Sequence, residues 1–181
     1  MPATAGPRRV VRAPVLTLLV LLALAAAGGA MAAPAHAIDK AICTGTTGIT
    51  YAPGVTNTPQ LVTVSSVNLY TCISLVDPAI RSGSSSVVGS GVRTCTDLLG
   101  SGQIQLVHRW NTGETTTAVA NYNVNYVGGE FVFTSLGIAT DGKFRGSTIV
   151  NNSTAVGDPT DCTTTTGITR LFGPSQFIVA L

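Results

Sequence analysis

Three turn signals between Gln103 and Asn151 constrain this chain more than any other feature, because each imposes a strand register and the registers agree. Asn111-Thr112-Gly113 fits a three-residue hairpin loop with Gly113 at the left-handed position. That register opposes Ile104 to Ala120, Leu106 to Ala118, Gln103 to Asn121 and Arg109 to Thr115. Gly128-Gly129 reads as a two-residue loop opposing Tyr126 to Phe131 and Val124 to Phe133. Asp141-Gly142 is a type I′ signal, since both central positions need positive φ, and it opposes Ala139 to Phe144 and Phe133 to Val150. All three registers place Ile104, Leu106, Ala118, Ala120, Val124, Phe133 and Phe144 on one face. A one-residue slip would scatter that set between faces. The stretch from about 103 to 151 therefore predicts a four-stranded antiparallel meander.

The remaining segments read as strands too. Residues 46–51 and 60–70 are separated by a Pro53-Gly54…Pro59 loop, and 80–96 is a long strand with a bulge or two shorter ones. The Ser/Gly content of that last segment also fits a flexible linker. After a polar loop at 151–160, residues 167–172 and 176–181 flank a Gly173-Pro174 turn. Thr and Ser supply 37 of the 144 residues that follow position 37. Such β-branched and hydroxyl side chains favour pleated surfaces over helices. Eight or nine strands at this spacing predict an all-β, disulfide-crosslinked antiparallel β-sandwich, with a β-barrel as the alternative.

Residues 1–37 read as a secretory signal peptide. Arg8, Arg9 and Arg12 precede the apolar run VLTLLVLLALAAA, and Ala35-His36-Ala37 is a small-x-small exit. Residues 38–181 are then a single domain, extracellular and free of the membrane after cleavage. The ten Lys and Arg against eight Asp and Glu give +2, but three of the arginines belong to the leader. The domain that remains is nearly neutral and lacks the clustered cations that nucleic-acid binding requires. Export also decides how Cys43, Cys72, Cys95 and Cys162 are read. In an oxidising compartment four spread cysteines form two disulfides. Zinc is the weaker reading, because none of the four forms a C-x-x-C pair and His108 is the only histidine in the domain. Of three possible pairings, neighbouring strands favour Cys43–Cys72 with Cys95–Cys162.

Catalytic patterns are sparse. No G-x-S-x-G elbow is present, and His108 shares a strand face with Ile104 and Leu106, which marks it as a packing residue. Most carboxylates flank turns, and Glu114 and Glu130 begin successive antiparallel strands, at opposite sheet ends. No residue is assigned to catalysis, cofactor or metal. The candidate ligand face is the outward side of the meander: Gln103, Gln105, Arg109, Asn121, Asn123 and Asn125, with Trp110 beside a turn. Amides there can hydrogen-bond sugar hydroxyls, and a tryptophan can stack on a sugar ring or close the core. The expected role is a non-catalytic binding, surface or structural domain, with a glycan or cell-wall polymer as the partner.

The AHA exit, the start AICTGTTGITYAPG and the segments DPAIRSGSSSVVGSGVRTC, GIATDGKFRG and GPSQFIVAL resemble small uncharacterised secreted proteins of Streptomyces and related actinobacteria. The resemblance implies export and a β-rich disulfide domain, and assigns no ligand. In size, export and cysteine count the chain is also similar to enediyne-binding apoproteins and to subtilisin-inhibitor proteins. That similarity makes a secreted carrier or inhibitor the alternative function, ahead of a secreted hydrolase.

Overall fold

Alternation of inward apolar or small residues with outward Thr, Ser and Asn, interspersed with exposed apolar side chains such as Leu61, Leu69, Ile73, Val88 and Leu136, builds eight strands in residues 40–181, the part of the chain that the computed structural model describes. The expected leader, 1–37, lies outside the described residues. The strands are β1 (Ala41–Val55), β2 (Gln60–Ser74), β3 (Ser82–Arg93), β4 (Gly100–Trp110), β5 (Thr115–Val127), β6 (Glu130–Gly142), β7 (Thr148–Ala155) and β8 (Ile168–Ala180). Each pairs antiparallel with the next, and β1 pairs with β8, so the sheet closes into an up-and-down barrel. The alternative architecture is thus the one formed. Pairing of Ala41 with Val179 through Thr50 with Arg170 removes the free edges that two stacked sheets would carry. Among the described residues no helix is long and apolar enough to cross a membrane.

The expected meander is β4 to β7. Its first two registers stand as read: Ile104 faces Ala120, Leu106 faces Ala118, Tyr126 faces Phe131 and Val124 faces Phe133. The third is displaced by three residues, and Phe133 faces Ser153 rather than Val150. Asp141 and Gly142 stay in β6, paired with Thr117 and Thr116 across a bulge at Thr117/Ala118. Ala139 bonds to Gly146 and Ser147 instead, and residues 143–147 connect β6 to β7. Two contacts hold that longer loop. Phe144, at φ 64°, packs edge-on against Trp110 at 5.5 Å, and Lys143 Nζ reaches Asp77 and Glu114 at 2.6 Å each.

Gly173-Pro174 is not a turn either, because β8 runs through it without a break. The β7–β8 ladder lapses between Ser153–Ser175 and Val156–Phe172, so a proline without an N–H fits opposite the gap. A Cβ on Gly173 would lie 2.0 Å from the Thr154 carbonyl, which explains a glycine at that inward position. β1 likewise continues through Pro53 and Gly54 to Val55, beyond the end expected at 51. Segment 82–93 is a regular strand, not a linker, and 151–155 belongs to β7 rather than to the polar loop.

Inside the barrel the core is divided. One end packs Tyr70, Ile80, Trp110, Ile149, Phe177 and Val179 with the Cys43–Cys72 disulfide. The other packs Ile49, Tyr51, Val62, Leu98, Val124, Phe131 and Leu171, bordered by the Cys95–Cys162 disulfide. All four thiols are therefore consumed in disulfides, in the favoured pairing. Between the two apolar ends lies a layer of small polar side chains.

Candidate functional site

The wall of the barrel is incomplete between β3 and β4. These strands pair only at Gly83–Trp110, Ser84–Arg109 and Ser85–His108, and then diverge. The divergence follows from the connection. β3 runs on to Arg93 and a 3-10 turn at Cys95–Leu98 before β4 starts at Gly100. A disulfide from Cys95 to Cys162 holds that turn. A cavity of about 400 Å³ opens into the lumen through this seam. It exists because the inward positions near it are small: Ser66 on β2, Gly89 on β3, Ser135 on β6 and Ser153 on β7. Gly89 is the clearest case, since a Cβ added there would meet nothing within 4 Å.

The walls are apolar and the floor is polar but uncharged. Ile49, Val64, Val87, Ile104, Leu106, Val124 and Phe133 line the sides. At the floor Asn151 donates to the Tyr70 hydroxyl at 3.2 Å and accepts from Ser153 at 3.3 Å and Ser175 at 3.2 Å. Asn68 donates to Ser85 Oγ at 3.1 Å. Buried polar groups carry a desolvation cost unless hydrogen-bonded, and this connected set meets that need while leaving hydroxyl and amide atoms beside the cavity. Burial raises the Tyr70 phenol above its usual pKa, against hydrogen bonds from Ser175, Asn151 and Ser85. The floor is therefore neutral at ordinary pH.

The rim carries Ser90, Arg93, Asp97, Gln103 and Tyr122. Asp97 is committed locally. Its carboxylate accepts from Thr94 N at 2.6 Å and Thr94 Oγ1 at 2.8 Å, contacts that hold its pKa below the usual carboxylate range. Tyr51, just inside, is pushed up to about 12 by burial, which outweighs the nearby Arg93 charge. It remains a phenol.

His108 is buried beside the floor layer, opposite Ser85 and Thr116, with its ring 4.0 Å from that of Phe177. It packs as expected, yet its Nε2 has no hydrogen-bond partner among the described residues. Desolvation lowers its pKa to about 4, so the imidazole is neutral.

The residues expected to form an outward ligand face are split. Gln103, Gln105, Arg109, Asn121, Asn123 and Asn125 are exposed, and Gln103 sits across from Asn121. Asn125 donates to the Asn123 carbonyl oxygen. Trp110 points the other way. It is 4% exposed and gives its Nε1–H to Thr116 Oγ1 at 2.9 Å, so it closes one end of the core and is unavailable to an outside sugar. Of the carboxylates, Asp77 and Glu114 meet through Lys143 at that same end, where its ammonium lowers both pKa values. Neither is raised, as a general acid working near neutral pH requires. The lumen cavity itself was missed by sequence reasoning. Its signal is the run of inward Ser and Gly, which becomes visible only once the strand parities and the closure are known. No family model, curated protein or solved structure matches the chain.

Proposed function

We propose that this barrel binds a small, largely apolar molecule in its lumen, admitted through the β3–β4 seam, and acts as an exported carrier rather than a catalyst. The observation that carries the reading is the cavity, with apolar walls, a satisfied neutral floor and an opening where the ladder stops after three residue pairs. Eight-stranded barrels enclose a space of the size that holds one small ligand, and about 400 Å³ falls within the usual range of ligand pockets. Export is supported by the leader-like residues 1–37 and by two disulfides.

Titration with the neutral fluorophore N-phenyl-1-naphthylamine tests the reading. The expected result is saturable binding of one probe per chain, abolished by Gly89→Phe, which fills the open space above that glycine. Absence of saturable binding, or equal binding by a folded Gly89→Phe protein, would overturn it. A glycan or cell-wall polymer on the outward amides is the second reading, favoured by the exposure of Gln105, Asn121 and Asn123 on neighbouring strands. Retention on peptidoglycan by wild type and Gly89→Phe alike is the result that would select it.

A further inference from the structure

We infer that the molecule bound in the lumen carries a carboxylate seated on Arg93 at the rim and a neutral hydrogen-bonding group at its buried end, an inference that rests on the lumen reading above. Arg93 ends β3 with the parity of the inward positions Gly89 and Gly91. Its side chain turns back along the strand. A Cβ on Gly91 would lie 3.7 Å from the guanidinium carbon and 3.7 Å from Nη2. The bare glycine thus gives the guanidinium a place against the cavity mouth, where a longer side chain would displace it.

Three observations select an acid. No carboxylate comes within 4.0 Å of the Arg93 guanidinium among the described residues, whose ion pairs are both made by Lys143. Asp97, the other charged group on the rim, feels the Arg93 charge but forms no ion pair with it, and its carboxylate already accepts two hydrogen bonds from Thr94. Tyr51 lies inside the mouth as a protonated phenol, a donor rather than a competing anion. A guanidinium presents its N–H groups in a fork that matches the two oxygens of a carboxylate. The deep end asks for something different. Asn68, Ser66, Ser135, Asn151 and Ser153 bring no charge, and a second ionised group there would be desolvated without a counterion. A hydroxyl, carbonyl or amide suits that floor, with an apolar body spanning the distance from it to the rim.

Calorimetric titration of 10-hydroxydecanoic acid and decane-1,10-diol, which share a hydroxyl for the buried end, into wild type and Arg93→Gln tests this. A charge-assisted hydrogen bond contributes enough to predict that wild type prefers the acid by about tenfold at low salt. The preference falls as NaCl is added. In Arg93→Gln the preference disappears while the affinity for the diol is unchanged, which also shows that the variant is folded. Equal affinities in wild type, or equal loss of both ligands in Arg93→Gln, would overturn the inference and leave the lumen reading standing. Failure of both ligands to bind wild type that does bind N-phenyl-1-naphthylamine would overturn the inference alone, and failure of all three would overturn the two together.

Discussion

At the scale of single residues, His108 is the group whose behaviour most directly reports on the interior. It faces Ser85, Thr116 and Phe177, and no charged partner offsets its desolvation. Its folded pKa of about 4 lies below the ordinary 6.5. Between those values the unfolded chain takes up a proton that the folded chain refuses, so stability is fully present above pH 6.5 and falls as pH drops towards 4. The span is worth about 3 kcal/mol. Urea unfolding of wild type should show that decline from pH 7 to pH 4.5, and His108→Phe, which keeps a ring against Phe177, should lack it. Asp77 and Asp97 act in a lower window, since their folded pKa values lie below 3.8 and their contributions are lost only as pH falls through those values. A wild-type midpoint that stays flat over the stated interval would mean the imidazole is solvated. The inward face of His108 was legible from alternation with Leu106. Its missing partner was not, because hydrogen-bond satisfaction depends on strands distant in the chain.

At the scale of elements, turn chemistry carried the reading where the loop was short and misled it where packing competed. Gly128-Gly129 and Asn111-Thr112-Gly113 turn where they were expected to, and the pairings they fix are the observed ones. Asp141-Gly142 has the same local signal, but burying Phe144 on Trp110 and engaging Lys143 with two carboxylates outweighs a tight turn. Gly173-Pro174 misled for a related reason. A proline breaks a strand only if its N–H is needed, and the β7–β8 ladder is already interrupted there. The β3–β4 seam carries a prediction of its own. Backbone amides of 87–93 and 100–107 that face across the seam have no ladder partner, whereas β1 and β8 pair along nearly their whole length. Hydrogen exchange by NMR should find the seam amides exchanging about a hundredfold faster than those between β1 and β8. Uniform protection around the barrel would remove the proposed entrance.

At the scale of the whole molecule, closure is what the sequence left open. Strand count and alternation are shared by sandwiches and barrels, and only the long-range pairing of β1 with β8 separates them. That pairing joins residues at the two ends of the domain, beyond the reach of any local turn. The cavity inherits this limit, since its lining comes from β1 to β7. The two disulfides then divide the work. Cys43–Cys72 bridges directly opposed residues of an existing ladder and sits inside the core. Cys95–Cys162 instead ties the 3-10 turn after β3 to the one before β8, and Cys95 N and Cys162 O each bond to the β1–β2 connection, at Thr56 and Asn57. It fastens the connection that carries Asp97 and Leu98 at the cavity. Opening its 67-residue loop should cost about 4 kcal/mol of chain entropy. The two bonds therefore differ in what their loss does to binding. Cys95→Ala/Cys162→Ala should lower stability and also weaken probe binding in the lumen, with faster exchange in 94–99. Cys43→Ala/Cys72→Ala should lower stability while leaving probe affinity in the folded protein near wild type. Chemical denaturation with probe titration on both variants checks this, and equal weakening of binding by the two would mean that neither disulfide holds the mouth.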